Sequence, residues 1–154
     1  MPSQGLTRSV LRLASVAVAL QACTTPSKPP ARPTQEHLVE IDVHGVRSDA
    51  GVLRIAVYAD PTTFLREGGV LHGVSVPPST TKVTLAVPND TPVVISVFHD
   101  LDADAQLRRG PLGMPSEPWG FSGHPPRIGP PVWASCAITP VPNSSVVITL
   151  RGAP

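Results

Sequence analysis

LVEIDVHGV, residues 38–46, is the stretch that decides the fold of this chain. Val39, Ile41 and Val43 alternate with Glu40, Asp42 and His44, so successive side chains divide into an apolar face and a polar one, the period of a strand buried on one side. The same pattern returns after the turn residues Ser48-Asp49-Ala50-Gly51, where Leu53, Ile55 and Val57 alternate with Arg54, Ala56 and Tyr58. This predicts a second strand, paired with the first as a hairpin and stopped by Asp60-Pro61.

Working outward, further strands are expected over Leu71–Val76 and Lys82–Val87, separated by Pro77-Pro78, with Val83, Leu85 and Val87 in phase. Asn89-Asp90-Thr91-Pro92 makes a turn before Val93–His99, the most apolar strand and so a central one. Beyond a long loop, Val132–Thr139 and Ser145–Arg151 are rich in β-branched residues and separated by Pro140 and Pro142. Only Thr62–Glu67 runs far enough without a breaker to hold a short helix or 3₁₀ turn. Strands at a spacing of about 8–12 residues with turn chemistry between them predict an all-β fold. The expectation is a single immunoglobulin/transthyretin-like β-sandwich of about seven strands over residues 36–152, with no repeat and no second domain.

The 154 residues, 41% of them apolar, suffice for one ordinary core. Charged residues make up 15% and the formal net charge is +1, which leaves no electrostatic footprint for nucleic acid. Twenty prolines favour turns and loops over helices.

Residues 1–23 read as an export signal. Arg8 and Arg12 precede the apolar run Leu13–Leu20, too short to span a bilayer and of the length of a secretory core. The run closes in Leu20-Gln21-Ala22-Cys23, which resembles a bacterial lipobox: a small residue precedes a cysteine whose thiol would take the lipid. Gln21 is an uncommon occupant of its position. The alternative is cleavage after Ala17-Val18-Ala19, giving a soluble periplasmic protein with Cys23 as a free thiol. Thr24 stands where aspartate would signal inner-membrane retention in enteric bacteria, so the resemblance implies an outer-membrane anchor facing the periplasm. Residues 24–35 combine four prolines with small and polar residues and no large apolar side chain. Such a segment cannot build a core and reads as a tether.

The densest chemistry lies in HDLDADAQLRRGPLGMPSEPWGFS, residues 99–122. Asp100, Asp102 and Asp104 place hard oxygen ligands at the alternate spacing that opens many calcium loops. An EF-hand in the strict sense is excluded: the sharp-turn glycine is replaced by Ala105, and the twelfth position, where a bidentate glutamate would close the shell, is Pro111. Two readings stay open. A weak calcium site would offset the repulsion among the three acids, or Arg108 and Arg109 neutralise them through exposed ion pairs of little energetic weight.

No catalytic residues are expected. His99 and Asp100 are adjacent on a strand and so point to opposite faces. Ser116 and Ser122 sit near His124, but no Gly-x-Ser-x-Gly elbow is present. Trp119, Phe121 and Trp133 gather around the loop and are expected to plug the open end of the sandwich. The alternative is an exposed aromatic platform for a sugar or peptide, with Trp119 and Phe121 as its surface. Cys136, without a partner if Cys23 carries lipid, is expected to behave as a small buried hydrophobe.

The segment resembles the bacterial domain of unknown function 2141. The resemblance is carried by His99-Asp100 at a strand end, an acidic loop with Asp102 and Asp104, Gly113-Met114-Pro115-Ser116-Glu117, and Gly120-Phe121-Ser122. The Tyr58-bearing strand and Phe64 also fit, so it extends over most of residues 36–151. It implies a secreted, single-domain, β-rich protein and assigns it no particular activity. The chain departs from the family pattern at Ala105, where glycine is usual, at Arg108, where an acid is usual, and at Val93, where a tyrosine is usual. The first two changes weaken an ion site. The combined expectation is a non-catalytic cell-envelope lipoprotein, a binding or structural module whose protein or glycan partner is not readable. The alternative is a weak calcium-binding module that recognises a partner through residues 99–122.

Overall fold

The computed structural model describes residues 35–110, 113–127 and 129–152. The expected signal at 1–23 with Cys23, residues 24–34 of the tether, and Pro111 lie outside the described residues.

Among the described residues seven strands form two sheets. In chain order they are β1 (Glu36–His44), β2 (Val52–Tyr58), β3 (His72–Val76), β4 (Lys82–Pro88), β5 (Val94–Asp100), β6 (Trp119–Phe121) and β7 (Ser145–Thr149), with one helical turn, α1 (Trp133–Cys136), before β7. The three-stranded sheet runs β4-β1-β7 and the four-stranded sheet β3-β2-β5-β6. β1 pairs antiparallel with β4 and parallel with β7, and the pairs within the other sheet are antiparallel. The all-β sandwich expected from the alternation is therefore present.

The alternation also sets the core. Val39, Ile41 and Val43 of β1 meet Leu53, Ile55 and Val57 of β2, Ile95 and Val97 of β5 and Ile148 of β7 between the sheets, all buried. Each fully buried aliphatic side chain contributes about 1.5–3 kcal/mol of transfer free energy, so this layer dominates the stability of the domain.

Three local expectations are corrected. β1 and β2 are not a hairpin but belong to opposite sheets, so residues 45–51 carry the chain across the sandwich. Gly51 ends that crossing at φ +78°, and a Cβ there would lie 2.1 Å from the Asp100 carbonyl, so only glycine lets the crossing chain lie against the end of β5. The strand expected over Val132–Thr139 is the helical turn α1, closed by Ala137 N–H donating to the Trp133 carbonyl at 2.8 Å. Ile138 alone keeps strand pairing, exchanging backbone bonds of 2.8 and 2.9 Å with Val93. The seventh strand is instead β6, inside the expected loop. Its Gly120 sits where a Cβ would meet the Thr149 carbonyl at 2.8 Å and Ile148 Cγ2 at 2.9 Å.

Over Thr62–Glu67 the chain makes successive three-residue turns, Thr63 N–H to the Asp60 carbonyl and Arg66 N–H to the Thr63 carbonyl. Leu65 in the left-handed region, φ 56°, keeps them from merging into a helix.

Candidate functional site

Side chains of β5 alternate between the core and the outer face of the four-stranded sheet, and this divides the signature residues. His99 follows Ile95 and Val97 inward, is fully buried, and makes a 2.7 Å bond through Nε2 with the Ala50 carbonyl. Its Nδ1 is buried without a partner. Asp100 follows Val94 and Ser96 to the outer face, where it is covered and fully buried. His99 and Asp100 are thus on opposite faces, as the strand period requires.

Asp100 organises the first part of the loop. Its Oδ2 accepts from Arg54 Nε at 2.5 Å and from the Ala105 N–H at 2.9 Å, and its Oδ1 accepts from the Asp104 N–H at 3.2 Å. Burial opposes the charged form, but the Arg54 guanidinium and the two backbone donors outweigh it and hold the carboxyl below its ordinary value. The backbone bends around this carboxylate with Ala103 at φ 58° and Ala105 at φ 69°. A left-handed alanine is strained relative to glycine, so the loop holds Ala103 and Ala105 in a conformation that glycine would adopt more easily.

Glu117, 3% exposed, is the second buried acid. Its Oε1 accepts from the Leu101 N–H at 2.8 Å and its Oε2 from the Arg108 N–H at 2.9 Å, so one side chain ties the loop's entry to its midpoint. Between them Arg109 pairs with Pro115 and the Ser116 N–H donates to the Arg108 carbonyl at 2.9 Å, joining the two arms of the loop, with Met114 exposed beside them. The loop returns to the sheet where His99 N–H donates to the Pro118 carbonyl at 2.8 Å.

The expected trio of acids does not converge as a set. Oxygens of Asp100, Asp102 and Glu117 lie within 4.8 Å of one another. Asp104 is outside that group and caps its own turn, accepting from the Gln106 N–H at 2.7 Å. Asp102 pairs with the guanidinium of Arg108, the partner expected to neutralise the loop. In the sequence Glu117 belongs to the Gly-x-Pro-x-Glu stretch, and its separation of 17 positions from Asp100 gives no spacing signal for a shared site.

Ser122 is equally committed to structure: its hydroxyl donates to the Cys136 carbonyl at 2.7 Å and accepts from the Ile95 N–H at 3.0 Å. Cys136 is fully buried, as expected, and burial pushes its thiol up. The aromatic residues occupy the outer face of the four-stranded sheet, not the open end of the sandwich. Phe64 stands edge-on to Tyr58, Phe121 and Trp133 at centroid distances of 5.4, 6.0 and 5.7 Å, over Val94 and Ala56. Trp119 continues the row from Phe121 at 5.6 Å and is half-buried, with the Arg151 guanidinium 5.9 Å from its ring centroid. The expected plug is therefore a second, smaller apolar layer beside the loop.

Among the described residues no helix is long and apolar enough to cross a membrane. The family described as "Uncharacterized protein conserved in bacteria (DUF2141)" matches residues 41–148, more than half of the chain, and the chain belongs to it. No curated protein and no solved structure matches the chain.

Proposed function

We propose that the protein is a non-catalytic module of the bacterial cell envelope, tethered through a lipid on Cys23, whose 101–118 loop is a pre-shaped surface for binding or structural contact. The observation that carries this reading is the use made of Asp100 and Glu117. Both are buried, and their oxygens are spent on Arg54 and on the backbone N–H groups of Leu101, Asp104, Ala105 and Arg108. An acid poised for proton transfer keeps a pKa near the working pH. Asp100 is held low instead, and backbone already fixed at Leu101, Asp104, Ala105 and Arg108 loses less entropy on binding.

Intact mass of the membrane-extracted protein tests the anchor. The expected species begins at an acylated Cys23, and Cys23→Ala is released from the membrane fraction. An unmodified Cys23 in the native protein overturns the anchor. Photo-crosslinking from position 114 in native envelope tests the loop. A discrete adduct that disappears when the loop is unfolded by Glu117→Ala is expected, and no adduct overturns the surface.

The convergence of Asp100, Asp102 and Glu117 favours a second reading, a weak calcium site in which the ion takes the place of the Arg108 guanidinium. Calorimetry should then give a Kd in the range of about 10⁻⁴–10⁻³ M typical of extracellular modules. Binding should tighten in Arg108→Gln and vanish in Asp102→Asn. No heat at about 10 mM calcium in the wild type and in Arg108→Gln ends this reading.

A further inference from the structure

We infer that a groove beside β6 binds a small organic oxyanion, a carboxylate or phosphate ester of monosaccharide size. The inference rests on reading the domain as a binding module but locates the ligand away from the 101–118 loop. The groove, about 500 Å³ and open to solvent, is lined by Gly123, His124, Pro125, Arg127 and Arg151. Its volume lies within the range of about 300–1,000 Å³ of small-ligand pockets.

The charge of the groove is one-sided. After Glu117 the chain contains no Asp or Glu, while Arg127 and Arg151 fall in that stretch. Among the described residues the ion pairs engage Arg54, Lys82, Arg108 and two histidines, and neither Arg127 nor Arg151 has a carboxylate within 4 Å. Two permanent cations beside one groove, with no ion-pair partner among the described residues, favour an anion from outside.

Arg151 is also fixed in place. Its backbone exchanges bonds of 2.7 and 2.8 Å with Trp119, its guanidinium lies over the Trp119 ring, and one nitrogen donates to the Pro125 carbonyl at 3.3 Å. A guanidinium carries five N–H donors in a rigid fork, so most of this fork remains for a ligand. A planar fork held against an aromatic ring suits bidentate recognition of a carboxylate or phosphate.

The test is calorimetry on the full chain in detergent with glucuronate, glucose 6-phosphate and glucose, at low and high salt. At least one anion should bind with a Kd of about 1 mM or tighter, weakening with salt, while glucose gives no heat. Whether the carboxylate or the phosphate binds more tightly assigns the ligand's chemistry. Arg151→Gln and Arg127→Gln should each weaken binding about tenfold, and Arg151→Lys should not restore it, because the fork is lost. Arg151 pairs with Trp119 through its backbone, so the variants keep the fold, and an unchanged melting curve verifies this. The inference is overturned by no heat at about 10 mM anion, by equal binding of glucose, or by variants that bind as the wild type does. Adsorption to phosphatidylglycerol vesicles without binding of either soluble anion also overturns it, assigning the arginines to membrane electrostatics. A position-114 crosslink that persists when the anions fail to bind separates failure of this site from failure of the binding-module reading.

Discussion

The two faces of β5 are held in different ways by the same seven-residue strand. Inward, Ile95, Val97 and His99 join a core whose members touch aliphatic neighbours from both sheets. Outward, Ser96 and Asp100 sit under a loop and an aromatic layer, and the covering is fastened by Arg54, Glu117 and Ser122 through directed bonds. The inner face is stabilised by area, which is insensitive to direction and additive in methylene groups. The outer face is stabilised by polar bonds that each specify one backbone geometry. An apolar layer makes the sandwich, and a polar one gives the loop a single shape.

The largest effect should come from the inner face. Ile95→Ala removes a fully buried side chain from the layer between the sheets, and about 4 kcal/mol of unfolding free energy should be lost. Urea unfolding should show that loss with a wild-type slope, because the surface exposed on unfolding is almost unchanged. A loss under about 1 kcal/mol would mean the core relaxes around the gap and is not close-packed.

Asp100→Asn attacks the outer face at its charged centre, and it should cost about 3 kcal/mol because Arg54 is left without its carboxylate. The sign of the pH effect follows from the lowered pKa of Asp100. Its contribution is present above the unfolded-state value of about 3.9 and is lost as pH falls through the lower folded-state value. Wild-type stability should therefore fall below about pH 4 while Asp100→Asn falls less steeply over the same interval. Identical acid profiles for the two proteins would show that the ion pair adds nothing to the native state.

The difference between the faces also explains what could be read in advance. β1, β2 and β4 were legible because Val39-Ile41-Val43, Leu53-Ile55-Val57 and Val83-Leu85-Val87 each repeat the period of a half-buried strand. β6 was not, since three residues centred on Gly120 carry no period, and its place depends on β5 and Arg151 pairing with it from afar. At Trp133–Cys136 the flanking Val132 and Ile138 suggested a strand, yet only Ile138 pairs, and the intervening residues close on themselves. Ser48–Gly51 has the chemistry of a turn whether the chain returns in its own sheet or crosses to the other, so the hairpin could not be told from the crossover. At the site, Asp100 was picked out by its spacing. Its true companion Glu117 was not, because a carboxylate bonding to remote backbone N–H groups leaves no trace in periodicity.

Glu117→Gln sharpens the comparison further, because it keeps the shape and one acceptor while removing the charge. With its two backbone bonds reduced to one good acceptor, the loss should be about 2 kcal/mol. Hydrogen exchange should place that loss locally: the Leu101 and Arg108 amides should exchange faster, while amides of β1 and β2 keep wild-type protection. Uniform acceleration would show that loop and core unfold as one unit.

The smallest effect belongs to the acids that the loop leaves in water. Asp102 makes an exposed pair with Arg108 and Asp104 caps a local turn. Exposed pairs are screened and cost side-chain entropy to hold, so Asp102→Asn should change stability by under about 0.5 kcal/mol. The same substitution separates the two readings of the acidic loop. If Asp102 only balances Arg108, the variant melts as the wild type does with or without calcium. If Asp102 is a ligand, added calcium raises the wild-type melting temperature through preferential binding to the folded state and leaves the variant unmoved. The outer face would then be fastened in part by an ion, and the contrast with the core would depend on the calcium concentration around the protein.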